Sequence, residues 1–137
     1  MEIREYTDKD FYTIQEIHRA SGLPVNCLPD FANPLFLVKR VVENGSGIMV
    51  CGAIKLTGEL YVLVDHSKGD PESRWEALKA LTASGLLEAS RMGIDDVTAF
   101  VPPEIEKSFA KRLLELQFVR SPWPSYTKIL GQQRHGR

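Results

Sequence analysis

The stretch from Gly58 to Gly93 constrains the fold more than any other part of the chain, because a strand signal is followed there by a helix signal. Leu60–Val64 is an unbroken apolar run that is rich in strand-forming residues and too short for a helix. From Trp75 to Met92 apolar residues recur at steps of three and four, the spacing of an amphipathic helix. The stretch therefore predicts a buried strand, a polar loop over Asp65–Ser73 and a helix that is capped at Gly93.

A helix that begins just after a strand is a natural place to bind an anion. Its first N–H groups have no partner within the helix, and its dipole is positive at that end. Open α/β folds also place their ligands at the carboxyl ends of strands. The sequence thus leaves two readings open at Asp65–Ser73, a phosphate site and an ordinary connection with nothing bound.

The size and charge of the chain indicate one domain with no general attraction to polyanions. A chain of 137 residues with 17 basic and 18 acidic side chains has a formal net charge of -1. This balance predicts neither nucleic acid nor a membrane surface as a partner. We expect a single domain over residues 1–130 and a flexible tail at 131–137.

The two cysteines and the N-terminal residues predict a soluble, cytoplasmic protein. Cys27 and Cys51 are too few and too isolated for a disulfide framework or a zinc site. The N-terminus is polar from Glu2 onward, and no apolar run approaches the length of a membrane span.

The rest of the chain predicts further strands and helices around this central stretch. Helices are expected from about Asp8 to Ser21 and from Pro103 to Leu116. Strands are expected at Glu2–Tyr6, Leu35–Val42, Ile48–Leu56, Val97–Val101, Gln117–Arg120 and Tyr126–Leu130. Tight turns at 43–47 and 57–58 join three of the strands into an antiparallel meander, and Val97–Val101 is expected to lie parallel to Leu60–Val64. The predicted fold class is α/β (α+β), with a mixed, mostly antiparallel central sheet of about six to seven strands flanked by three to four helices.

This order of elements resembles the GNAT superfamily of acyl-CoA-dependent N-acyltransferases over about residues 1–130. The run Pro71-Glu72-Ser73-Arg74 at the helix start is similar to the family's motif A, and Leu116-Gln117-Phe118-Val119 is similar to the end of its motif B. The resemblance implies transfer of an acyl group from acetyl-CoA, or another acyl-CoA, to a primary amine on a small molecule or a protein.

The resemblance also implies which residues bind the coenzyme. Its pantetheine arm would pair with the main chain of Leu63 and Val64. Its phosphates would contact the residues that match the family's phosphate-binding loop, namely Arg74, Trp75, Glu76, Ala77, Leu78 and Lys79. Ala77 and Lys79 stand where the family usually has glycine or another small residue. A lysine at position 79 could block the phosphates or supply a charge to them.

Three residues are candidates for the acid-base steps of acyl transfer. Glu59 stands where some family members carry a catalytic glutamate, and His66 is a second candidate base. The family's acid is often a tyrosine in motif B, but the matching position is about Leu113, so Tyr126 is a candidate substitute. The alternatives are a solvated Glu59, an idle His66 and a Tyr126 used in packing. The second hypothesis is therefore an inactive binding or structural module of a larger assembly. The sequence does not decide whether the chain forms a homodimer.

Overall fold

The structure, a computed structural model, describes residues 1–131 and divides into two compact units, Met1–Phe100 and Val101–Arg137. Each unit is described by itself. The first holds five strands and two helices: β1 (Glu2–Glu5), α1 (Phe11–Ser21), β2 (Phe36–Asn44), β3 (Gly47–Lys55), β4 (Gly58–Leu60), α2 (Pro71–Arg91) and β5 (Val97–Ala99). The second holds α3 (Pro103–Glu115). The flexible tail predicted for the last residues, Gln132–Arg137, lies outside the described part of the chain.

The larger sheet is a three-stranded antiparallel sheet in the order β1-β2-β3. Ile3 lies opposite Val42, and Val42 lies opposite Val50, so these three apolar residues share one face. The predicted hairpin between β2 and β3 is confirmed. The side chain of Asn44 accepts a hydrogen bond from the Ser46 N–H at 2.8 Å, which stabilises the turn.

The core of the first unit lies on the other face of this sheet. Ile14 of α1, Phe31 of the following loop and Val41 of β2 are buried together. The Phe31 ring stacks on Tyr6, with ring centroids 4.6 Å apart, and lies 6.0 Å from the Phe36 ring. The first helix, predicted from about Asp8 to Ser21, therefore packs through Ile14 against the strand that follows it.

β4 and β5 form a separate parallel pair, with Gly58 opposite Val97 and Leu60 opposite Ala99. The long helix α2 connects them, so the predicted parallel relation of these strands is confirmed. α2 ends as predicted. Gly93 has a φ of 91°, and the Ile94 N–H bonds to the Ala89 carbonyl at 3.0 Å in a Schellman motif.

The predicted six-to-seven-stranded central sheet is wrong, because the described residues form one sheet of three strands and another of two. The central strand ends at Leu60 instead of Val64, and β4 pairs with β5 rather than with β3. A strand needs a hydrogen-bonding neighbour. Continuing the β4–β5 register would place Leu63 and Val64 opposite Pro102 and Pro103, which have no N–H to donate.

The second unit lacks the two predicted strands, because Gln117–Arg120 and Tyr126–Leu130 have no strand structure. α3 ends in a Schellman motif. Gln117 adopts a φ of 68°, and the Phe118 N–H bonds back to the Leu113 carbonyl at 3.0 Å. This turn uses the Phe118 donor that a strand would need, and Pro122 and Pro124 lack N–H groups for a returning strand.

Candidate functional site

The candidate site begins where β4 and β5 part. Their pairing ends at Leu60 and Ala99, and residues 61–64 continue without strand structure. Leu63 is fully exposed, and Val64 is also exposed. The two residues predicted to pair with a pantetheine arm are therefore exposed just past the carboxyl end of the parallel pair.

The loop that follows is organised by hydrogen bonds to its own main chain. Asp65 accepts bonds from both the N–H and the hydroxyl of Ser67, at 2.9 and 2.6 Å, and these bonds lower the pKa of the Asp65 carboxyl. Gly69 has a left-handed φ of 62°. The Arg74 guanidinium reaches back from α2 and donates to the carbonyls of Gly69 at 2.8 Å and Lys68 at 3.1 Å. Arg74 thus binds the loop's own carbonyl groups.

The start of α2 already carries a negative charge from the chain itself. Asp70 is the N-cap residue, and its carboxylate accepts a hydrogen bond from the Ser73 N–H at 2.7 Å. Bonds from the Ser73 and Glu72 main chain lower the pKa of Asp70. Pro71 has no N–H, and the Arg74 N–H bonds to the Asp70 carbonyl at 3.0 Å. A phosphate at this helix start would have to displace the Asp70 carboxylate.

The residues matched to the phosphate-binding loop lie inside α2. From Trp75 onward their N–H groups belong to the helix interior, where they bond to carbonyls four residues earlier. Leu78 is buried, whereas Glu76 and Ala77 are exposed. The Lys79 ammonium lies 2.6 Å from the Glu76 carboxylate and 5.6 Å from the centroid of the Trp75 ring. Coenzyme binding by these six residues stays a prediction.

Of the three catalytic candidates, Glu59 has the most definite surroundings. It lies on β4 with its side chain exposed, and the Tyr61 hydroxyl donates to its Oε2 at 2.5 Å. His66 lies in the exposed loop, where its carbonyl accepts a long contact of 3.4 Å from Arg74. Tyr126 lies exposed in the second unit. The first unit therefore places Glu59, Tyr61 and the exposed residues Leu63 and Val64 in one segment.

Sequence reasoning missed two ionic clusters of the first unit. Arg4 binds Asp10 through two hydrogen bonds of 2.9 Å and binds Glu43 through bonds of 3.0 and 3.2 Å. The bond from Arg4 and the bond from the Thr7 N–H lower the pKa of the buried Asp10 to about 2, against the opposing effect of burial. Thr7 and Asp10 have the spacing of a capping box, which is visible in the sequence. No local pattern points to Glu43, which is 39 residues from Arg4.

The second cluster joins the end of β3 to the entry of β5. The Lys55 ammonium binds Asp95 at 2.7 Å and Asp96 at 2.8 Å, and the Asn33 amide donates to Asp95 at 2.8 Å. These bonds raise the pKa of Lys55 and lower the pKa of Asp95. Both clusters pair opposite charges within the chain and hold its segments together.

Within residues 1–131 no group of three or more histidine, cysteine, aspartate or glutamate side chains is placed to hold a metal ion. None of the helices in that same range is long and apolar enough to cross a membrane.

No model of a known protein family, no curated protein and no solved structure matches this chain. The likeness to the acyltransferase superfamily therefore depends on the sequence patterns alone.

Proposed function

We propose that this chain is a binding module of a protein assembly, in which the first unit uses its three-stranded sheet to bind a protein partner. The observation that carries this proposal is the outer face of that sheet, opposite the core. Ile3, Val50 and Ile54 lie on this face and are each more than half exposed. Ile3 and Val50 flank Val42 in one row across the sheet, and Ile54 lies beyond the row that holds Arg40. Exposed apolar side chains grouped on one face and bordered by charged ones are typical of a surface that binds another protein.

The polar groups near α2 support a binding role over a catalytic one. The Asp70 carboxylate takes the position of an anion at the helix start. Arg74 and Lys79 are the cations nearest to it along the helix, and they bind loop carbonyls and Glu76 respectively. A coenzyme phosphate would have to break these contacts before it gained its own.

One observation favours acyl-CoA-dependent N-acyl transfer as a second candidate function. Tyr61, Leu63 and Val64 are exposed where the chain leaves the parallel pair at Leu60, and this segment is where a pantetheine amide would pair. In such a reaction the neutral amine attacks the thioester carbon, so the new amide bond forms and the carbon–sulfur bond breaks. Glu59 accepts the one proton that the nitrogen loses, and that proton then passes to the leaving thiolate. An acceptor amine and acetyl-CoA are the substrates of this candidate.

One pair of measurements separates these two functions. The full chain is heated with and without 1 mM acetyl-CoA, and thiol release is followed with a panel of primary amines. We expect no change in melting temperature and no thiol release above the rate without protein. A ligand that binds the native state raises the melting temperature by mass action, so an upward shift would support coenzyme binding.

The decisive variant for catalysis is Glu59→Gln, which keeps the shape of the side chain and removes the base. The matched control is Glu88→Gln, a change of the same chemistry at an exposed position later in α2. Thiol release that is lost in Glu59→Gln and kept in Glu88→Gln would overturn the binding-module proposal and establish the transferase.

A further inference from the structure

β3 is an edge strand with few of the features that usually protect an edge. It is nine residues long and pairs only with β2 among the residues that the structure describes. From Gly47 to Ile54 it contains no charged residue and no proline, and Lys55 at its end is bound to two carboxylates. Natural edge strands are usually blocked by lysine, proline or a bulge. The register shift at Met49 lies outside the regular pairing of Val50 to Ile54, so this stretch of the edge is available for pairing with another chain.

The hydrogen-bond pattern shows which main-chain groups of β3 face outward. The Tyr6 N–H bonds to the Lys39 carbonyl at 3.2 Å, so the polar groups of Lys39 point toward β1. The N–H and C=O groups of the next residue, Arg40, therefore point toward β3, where Arg40 lies opposite Gly52. Because successive residues alternate, the N–H and C=O groups of Cys51 and Ala53 point away from β2.

The outer face of β3 is symmetric about Gly52. Val50 is 57% exposed and Ile54 is 63% exposed, one on each side of the glycine. A Cβ at Gly52 would meet no atom within 4 Å, so packing within the chain does not require glycine there. Glycine weakens a strand interior, and it commonly marks a place where another backbone approaches closely.

We propose that a second copy of this chain pairs antiparallel with β3 about a twofold axis at Gly52; this inference rests on the proposed binding function and names the partner. Cys51 then exchanges both main-chain hydrogen bonds with Ala53 of the second copy, and the two Gly52 residues face each other. Val50 packs against Ile54 of the second copy on the outer face, twice by symmetry. The two three-stranded sheets become one continuous six-stranded sheet.

The charges near the axis are compatible with two identical copies. In this register Lys55 lies opposite Met49 of the second copy, so no like charges are brought face to face. Arg40 is the outer-face charge nearest to Gly52, and it pairs with Glu5 at 3.6 Å. Three strand spacings would separate the two copies of Arg40 by about 14 Å, which exceeds the Debye length of physiological salt.

The size of the contact predicts a weak, concentration-dependent dimer. In this register only residues 49–55 of β3 lie opposite the same residues of the second copy. That length of strand spans about 23 Å, and a sheet with its side chains is about 10 Å thick, so the edge offers about 230 Å² per copy. The total of about 460 Å² lies below the roughly 1,200 Å² of a stable standard interface. We therefore expect the dissociation constant of this dimer to be on the order of tens to hundreds of micromolar.

The test uses sedimentation velocity of the full chain from 5 to 500 µM at neutral pH, with four variants. Val50→Lys and Ile54→Glu alone each place a charge opposite an apolar side chain and should weaken dimerisation at least fivefold. The double variant Val50→Lys with Ile54→Glu places opposite charges across the axis and should recover most of the loss at low salt. The matched control, Val50→Lys with Ile54→Lys, should recover none of it.

Amide hydrogen exchange of the unmodified chain provides a second measurement that does not depend on any variant. Protection of the Cys51 and Ala53 amides should rise between 10 and 500 µM, because these groups point outward in the monomer. A chain that stays monomeric at 500 µM, or a control that dimerises as well as the charge-paired variant, would overturn the inference. Such a result does not change the melting temperature or the thiol release expected with acetyl-CoA. The proposed function is overturned by a different result, namely thiol release that is lost in Glu59→Gln.

Discussion

The replacement Asp10→Asn tests how much the Arg4–Asp10–Glu43 cluster stabilises the first unit. Asp10 is buried and its pKa is lowered from 3.8 to about 2, with the hydrogen bond from Arg4 as the largest cause. A shift of this size corresponds to about 2.4 kcal/mol of stability at neutral pH. The Arg4 side chain is 30% exposed, and solvent screening reduces this contribution to about 1 to 2 kcal/mol.

The sign of the pH dependence follows from the direction of the shift. The folded-state pKa of Asp10 lies below its unfolded value, so the stabilisation is fully present above about pH 5. It is lost as the pH falls from there toward 2, because the unfolded state takes up the proton first. The stability difference between the unmodified chain and Asp10→Asn should therefore be constant from pH 5 to 8 and should shrink by more than half at pH 2.5.

Urea unfolding, monitored by Trp75 fluorescence in a Trp123→Phe background, reports on the first unit alone. The control variant Glu16→Gln removes one partner of the exposed pair with Arg19 and should change the stability by less than about 0.5 kcal/mol. A difference between the unmodified chain and Asp10→Asn that is the same at pH 7 and pH 2.5 would refute the electrostatic argument.

Three further predictions concern packing and backbone conformation. Gln117→Gly should stabilise α3 by about 0.5 to 1 kcal/mol, because residue 117 has a φ of 68°, and circular dichroism during thermal unfolding would measure this gain. Thr82→Val should stabilise the chain by about 1 kcal/mol in urea, since the buried Thr82 hydroxyl has no hydrogen-bond partner among the described residues, whereas Thr82→Ser should not. Phe31→Ala should cost about 3 to 5 kcal/mol in the same assay, and Leu37→Ala, at an exposed position, should cost less than about 0.5 kcal/mol.

The local parts of the fold could be predicted from the sequence. The turn between β2 and β3 is marked by Asn44 and two nearby glycines, and Gly22 and Gly93 mark the ends of α1 and α2. These signals depend on backbone conformations that a few residue types favour, so they are visible without knowledge of the rest of the chain. The parallel relation of β4 and β5 followed from the long helix between them.

The extent of the sheet could not be predicted, because an apolar run does not reveal whether a neighbouring strand exists. Leu60–Val64 has strand-forming residues, yet the neighbouring strand ends at Ala99 and prolines follow it. Val119 and Leu130 likewise looked like strand residues and are exposed in the second unit. Pairing across many residues is a tertiary property, and it decides whether a strand forms.

The helix that follows β4 could be predicted from the sequence, but the hydrogen bonds at its start could not. The order of Asp70 and Pro71 is a helix-start signal, and it places Trp75–Lys79 well inside α2 instead of at its first turn. The bonds from Arg74 to the loop carbonyls depend on how residues 65–70 curl, which their composition does not specify. The link between Arg4 and Glu43 joins residues far apart in the chain, so a local pattern cannot contain it.

The bonds from Lys55 to Asp95 and Asp96 place a single positive charge between the end of β3 and the entry of β5. With that charge present, two neighbouring carboxylates are held to the end of β3. If the ammonium were neutralised, for example by acetylation, the two carboxylates would repel each other with no ammonium to bind them. One change at one nitrogen atom would therefore remove the ionic attraction between the hairpin and the parallel pair, and the bonds to the Asp95 side chain from Asn33 and to the Asp96 carbonyl from the Gly58 N–H would remain.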